Sequence, residues 1–185
     1  MRLTHPWPPT CDASSRVLIL GAFPSPKSRE QGFYYGHPQN LFWRVLPEVL
    51  GASAQDSASV APGACKDPAE LVAARRAFVL RHHIALWDVI ASCEIKGAAD
   101  SSIRDPKPNE FAPLLARTRI TTIFTTGRTA TRIFNDLAAK EAGMQAIYLP
   151  STSPANRATQ SKPEFLRAWR QVAAAASCAS SPPTA

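Results

Sequence analysis

No two of the four cysteines (Cys11, Cys65, Cys93 and Cys178) form a C-x-x-C pair, and no cluster of Cys and His occurs anywhere in the chain. Structural zinc and iron–sulfur sites need such local spacing. Free thiols in a reducing compartment are therefore expected, with no metal and no other cofactor. No apolar run approaches the roughly 18–20 residues of a membrane span, so no membrane partner is expected. The opening MRLTHPWPPT lacks the apolar stretch of a signal peptide, which predicts a cytoplasmic location. Neither G-x-G-x-x-G nor G-x-x-x-x-G-K-[ST] is present. That leaves little support for a small-molecule nucleotide-binding protein of the common kinds. There is no internal repeat.

What is present suits one compact domain. The chain has 185 residues, 45% of them apolar and 19% charged, enough for a substantial core. Its formal charge is +7. An excess of that sign favours an anionic partner, nucleic acid above all, although a small basic protein need not bind one. Residues 1–14 read as an N-terminal extension and 15–173 as a single domain. Residues 51–67 (GASAQDSASVAPGACKD) read as a flexible loop, and 174–185 as a disordered tail that includes Cys178. A monomer is the default expectation.

Four short runs read as buried strands: RVLIL (16–20), IALWDVI (84–90), TTIFTT (121–126) and QAIYLP (145–150). None alternates cleanly between apolar and polar, as expected of parallel strands covered on both faces. Helical segments are expected at 38–50, closed by Gly51, and at 68–82, 107–117, 128–142 and 162–176. Strands alternating with helices predict an α/β fold, a three-layer α/β/α sandwich around a four-stranded parallel sheet. Ligands of such sheets bind beyond the carboxyl ends of the strands. The stretches that follow the four strands are GAFPSPKS, ASCEIKG, TGRTA and STSPANR, and they form the candidate rim.

Three stretches can carry chemistry. GAFPSPKS (21–28) is a stiff Gly/Pro loop whose Ser25 and Ser28 can meet a phosphate or a ring edge, or simply make a turn. FYYGHPQNLFW (33–43) holds five of the chain's eight Phe, four Trp and three Tyr, with Asn40 among them. An asparagine near a helix start commonly caps it by accepting a backbone N–H. Phe42 and Trp43 suit a buried helix face. For Phe33, Tyr34 and Tyr35, in a loop flanked by glycine, a core role is less natural. Aromatic faces beside an amide can instead hold a nucleobase by stacking plus an edge hydrogen bond. STSPANR (151–157) has small hydroxyls, a proline turn and Arg157, which suit a phosphate-binding loop as well as ordinary turn chemistry.

In order and together, these stretches resemble the uracil-DNA glycosylase superfamily over about residues 15 to 170. The G-x-F-P-S, Y-Y-x-H-P-x-N-x-F-W and S-x-S-P-A-N signatures are similar to those of its hypoxanthine-DNA (deoxyinosine) glycosylase branch, related to the mismatch-specific G:U/T enzymes. The resemblance implies an enzyme of base excision repair, associated with the nucleoid, acting on double-stranded DNA that contains a deaminated base. In better-known branches the third residue of the first motif is Asp or Asn and positions the attacking water. Phe23 stands there, and a phenyl ring cannot hold a water. The resemblance passes the role to Asn40. A bulky aromatic that excludes larger bases is replaced by Ser25, implying room for a purine. Ser151 stands where the second motif usually opens with histidine.

By the same resemblance, Tyr35 stacks on the flipped base and the backbone around Ala22 and Phe23 meets its edge. Ser28, Ser151, Ser153 and Arg157 hold phosphates, and Pro154, Ala155 and Asn156 form the minor-groove loop. No lysine stands clearly placed for a Schiff base, so a monofunctional glycosylase is expected. Uracil or a broader range of deaminated bases is the alternative substrate. A non-catalytic nucleic-acid-binding relative, with Asn40 only a cap, is the rival class. Asp88, Lys96, Asp100, Arg104, His37, His82 and His83 carry no assigned role. A structural place suits Asp88 better than one supporting the site, His37 suits a local hydrogen-bond partner and a catalytic group equally, and Lys96, Asp100 and Arg104 follow a strand end from which they could line the pocket or the DNA path.

Overall fold

A computed structural model describes residues 2–97 and 99–177. Its centre is β2 (Val17–Gly21), every residue of which is buried. Successive side chains of a strand point to opposite faces. Val17 and Ile19 accordingly enter one core, and Leu18 and Leu20 enter a second. Strand β3 (Ile84–Asp88) pairs parallel on one side of β2, and β6 (Thr122–Thr126) pairs parallel on the other. Strand β7 (Ile147–Leu149) continues beyond β6, giving the order β3-β2-β6-β7.

Helices cover both faces. On the first lie α2 (Phe42–Val49), α3 (Ala54–Val60), α4 (Pro68–Arg81) and α9 (Pro163–Ser177), which supply Trp43, Leu46, Val60, Phe78 and Trp169 to the core. On the second lie α5 (Ala112–Ala116), α6 (Arg128–Leu137) and α7 (Ala139–Ala142), which supply Leu114, Ile133, Phe134 and Ala139. Short helices α1 (Pro26–Gln31) and α8 (Arg157–Gln160) sit near the carboxyl ends of the strands. The chain leaves β2 toward the first face and β6 toward the second. A crevice opens between such neighbours at the carboxyl end of a parallel sheet.

The three-layer sandwich with a four-stranded parallel sheet is the architecture the sequence implies, but several boundaries differ. The run 84–90 is not one strand. β3 ends at Asp88, the Val89 N–H donates to the Gly21 carbonyl, and β4 (Ile90–Glu94) turns into a second sheet. That sheet is antiparallel, in the order β1-β4-β5, with β1 (Arg2–Thr4) and β5 (Arg104–Pro108).

The N-terminal residues are therefore not an appendage. Besides β1, Thr10 exchanges backbone hydrogen bonds with Leu86. The segment 51–67, expected as a flexible loop, contains α3. Ser53 caps it by accepting the Asp56 N–H at 3.1 Å. Helix α5 starts at Ala112 because residues 104–108 are committed to β5. Residues 174–177 lie in α9 rather than in a tail. Residues 178–185, with Cys178, lie outside the described residues.

Candidate active site

A cleft of about 770 Å³ opens at the carboxyl end of the parallel sheet. It gathers all three motif stretches. Ala22, Phe23 and Ser25 come from the loop after β2, Tyr35 and Asn40 from the aromatic stretch, and Ser151, Ser153, Pro154, Ala155 and Asn156 from the loop after β7. Arg157 is exposed and stands outside the lining.

Each side chain is held by a local cause. Ser25 caps α1, its Oγ accepting the Ser28 N–H at 3.2 Å. Tyr35 has a positive φ of 53°, a conformation uncommon for a bulky residue. Two contacts hold it there. Its ring stacks on Phe42 with centroids 3.8 Å apart and planes at 5°, and its hydroxyl lies 3.2 Å from Thr126 Oγ1. One face of Tyr35 is thus covered by Phe42, while the residue lines the cleft.

Asn40 is both a cap and a cleft residue. Its Oδ1 accepts the Phe42 N–H at 2.9 Å, at the start of α2. Its own N–H donates to the His37 carbonyl at 2.8 Å. The neighbouring Leu41 N–H donates to the Thr152 carbonyl at 3.0 Å, tying this turn to the loop after β7. The cap fixes which end of the amide is which. Nδ2 keeps two donors, and Oδ1 keeps a second lone pair.

The loop after β7 is pinned from behind. Gln160 Nε2 donates to the carbonyls of Ser151 at 3.1 Å and Ser153 at 2.8 Å. Ser151 Oγ accepts the Ser153 N–H, and Ser153 Oγ accepts the Ala155 N–H. Both hydroxyl protons remain to be donated. Pro154–Asn156 form one short 3-10 turn at the cleft edge.

Two expectations need correction. Ser28 is only 5% exposed, and its Oγ accepts the buried Gly36 N–H at 3.1 Å while lying 3.1 Å from Ser25 Oγ. Its hydroxyl thus fastens the aromatic loop, while the residue also lines the cleft. Phe33 and Tyr34 are core residues. The Tyr34 hydroxyl donates to the Pro8 carbonyl, and Trp43 Nε1 donates to the Tyr34 carbonyl. Tyr34 still reaches the cleft lining beside Tyr35, whereas Phe33 does not.

Other lining residues lie outside the three motif stretches, Thr126 and Arg128 within the expected rim stretch TGRTA. They include Asp88, Asp100, Thr126, Arg128 and Tyr148. Asp88 lies at the end of β3, and its Oδ2 is 2.9 Å from Nε2 of His5. Loss of water, and then the Asp88 charge, push the Asp100 carboxyl up to about 6. Burial, and then the Asp88 charge, hold the Tyr34 and Tyr35 hydroxyls well above the usual phenol range. His37 also lines the cleft, and its Nδ1 accepts the Gln39 N–H at 3.1 Å. Lys96 and Arg104 are not in the lining.

Three motifs converging on one cleft at the end of a parallel sheet define a class. Residues 8–173 match the family model of the uracil DNA glycosylase superfamily, and the chain belongs to that superfamily. Among its relatives is the hypoxanthine DNA glycosylase of Methanosarcina acetivorans, 31% identical over 153 residues that cover 82% of this chain and 87% of the relative. The hypoxanthine DNA glycosylase of Methanosarcina barkeri is 33% identical over 108 residues, 58% of this chain and 60% of the relative. A solution NMR structure of a Methanosarcina acetivorans protein, described as a candidate uracil DNA glycosylase, is similar with a TM-score of 0.66 and 29% identity. The match covers 93% of this chain and 99% of that one.

Proposed function

We propose that this protein hydrolyses the N-glycosidic bond of deaminated bases in double-stranded DNA, hypoxanthine chiefly, and that Asn40 is its catalytic residue. The observation that carries this reading is the placement of the Asn40 amide in the same cleft as Ser25 and Tyr35, clamped by the Phe42 N–H. The target nucleotide leaves the stack at a cost of a few kcal/mol, least for a mispair. Its base enters beside Tyr35, whose far face Phe42 supports. The small Ser25 leaves room for a purine.

An amide does not accept a proton near neutral pH, so Asn40 acts by position and dipole. Its Nδ2 donors face charge that develops on the departing base, and the free lone pair of Oδ1 orients water toward the sugar cation. This suits a path in which the C–N bond breaks first. The hydroxyls of Ser151 and Ser153, with Arg157 outside the cleft, meet phosphates, and Pro154–Asn156 approach the minor groove.

Duplexes carrying one hypoxanthine or one uracil, incubated with the protein and then treated with alkali, test the reading. Cleavage at hypoxanthine is expected, and Asn40→Ala should slow it by roughly 10²–10³-fold. Strands left uncut without alkali would mark a monofunctional enzyme. Uracil is the second substrate, supported by a cleft that admits a smaller ring. Absence of cleavage with DNA still bound would leave a binding protein in which Asn40 is a cap alone.

A further inference from the structure

His5 lies outside the matched residues 8–173, yet it contacts Asp88, which lines the cleft. Its Nδ1 lies 2.8 Å from the Trp7 carbonyl and 3.4 Å from the Trp7 nitrogen, so the Trp7 backbone fixes the ring. Its Nε2 faces Asp88 Oδ2 at 2.9 Å. Both side chains are nearly shut off from solvent, at 4% and 7% exposure. A buried carboxylate is costly unless paired, and this pairing uses one oxygen only. Among the described residues Oδ1 has no hydrogen-bond partner, and Asp88 lines the cleft. Oδ1 packs so closely on the floor that a Cβ at Gly21 would lie 2.3 Å from it and 3.6 Å from the Tyr35 hydroxyl. The unpaired oxygen therefore packs on Gly21, which, like Tyr35, lines the cleft.

We propose that Asp88 is the specificity-determining residue that reads the ring N–H created by deamination, and that His5 is the positioning residue that aims it. This rests on the glycosylase reading of the same cleft. Adenine and cytosine present a lone pair at N1 and N3, which a carboxylate oxygen repels. Hypoxanthine and uracil present N–H at those atoms, which the same oxygen accepts as a charge-assisted hydrogen bond. One acceptor thus serves both a purine and a pyrimidine, provided each is deaminated. It does not separate hypoxanthine from guanine, which carries the same N1–H. Imidazole turns Oδ2 away and leaves Oδ1 for the ligand, so the N-terminal strand takes part in base selection.

The test is binding, measured by fluorescence anisotropy, to duplexes whose 2′-fluoroarabino nucleotide resists hydrolysis. One duplex carries hypoxanthine and the other unsubstituted purine, which has a lone pair at N1. The full chain is expected to prefer hypoxanthine by about tenfold or more, as a buried polar group discriminates against a ligand that cannot pair with it. Asp88→Ala and His5→Leu should bind the two alike. His5→Gln, which can still donate to Asp88, should keep the preference. The ratio of two affinities on one preparation does not depend on the folded fraction, so loss of stability alone cannot produce this pattern. Equal binding by the unaltered chain, or an undiminished preference in Asp88→Ala, would overturn the proposal. Failure of the functional reading is seen separately, as an unaltered chain that leaves ordinary hypoxanthine duplexes uncleaved.

Discussion

Ser28 and Asp100 illustrate how one side chain's surroundings decide its use. The Ser28 hydroxyl receives the buried Gly36 N–H, so Ser28→Ala leaves a donor without a partner. A cost of about 1–3 kcal/mol is expected in thermal or denaturant unfolding, with affinity for undamaged DNA unchanged, as a phosphate ligand would not allow. Asp100 carries a carboxyl raised from 3.8 to about 6 in the folded chain. A raised folded value means that its contribution to stability is complete below 3.8 and is lost as pH rises through about 6. Asp100 is exposed to solvent, which screens much of this effect, so Asp100→Asn should raise the unfolding temperature only slightly at pH 7 and leave it unaltered at pH 3. Asn40 follows the same logic. Its sequence setting allowed a cap or a catalytic amide, and the backbone gives it the cap contact while Nδ2 has no hydrogen-bond partner among the described residues.

Among elements, the loop after β7 is held by one side chain of the short helix that follows it. Gln160 holds two of its carbonyls from α8. Gln160→Ala should reduce kcat/KM for hypoxanthine excision by on the order of tenfold, since small displacements of positioning groups are costly, with little change in unfolding temperature. The parallel strands were legible in the sequence because burial on both faces forces continuous apolar runs, as in VLIL of β2. The antiparallel sheet was not. Strand β5 reads RDPKP and β1 reads RLT, patterns that become strands only through distant partners. Helix α3 did leave a signal, Ser53 three residues before Asp56, hidden in a stretch of small polar residues. The site divides the same way. Asn40, Tyr35 and Ser151 stand in ordered motifs, whereas His5 and Asp88 are 83 residues apart and no local spacing links them.

At the scale of the whole molecule, a charge of +7 predicts binding to DNA that weakens steeply with salt. Arg157, exposed beside the cleft, belongs to that long-range field. Arg157→Ala should flatten the plot of log affinity against log salt by about one unit and leave the choice between bases unaltered. The cleft also draws its walls from residues as far apart in the chain as Gly21 and Thr159, with His5 behind Asp88. A growing polypeptide emerges from its N-terminus and folds as partners become available. Strand β1 must therefore wait for β4, and the Asn40 turn must wait for Thr152, before either is secured. Prematurely released fragments would lack a working cleft, so competence to excise a base arrives late in synthesis, with the last segments of the fold.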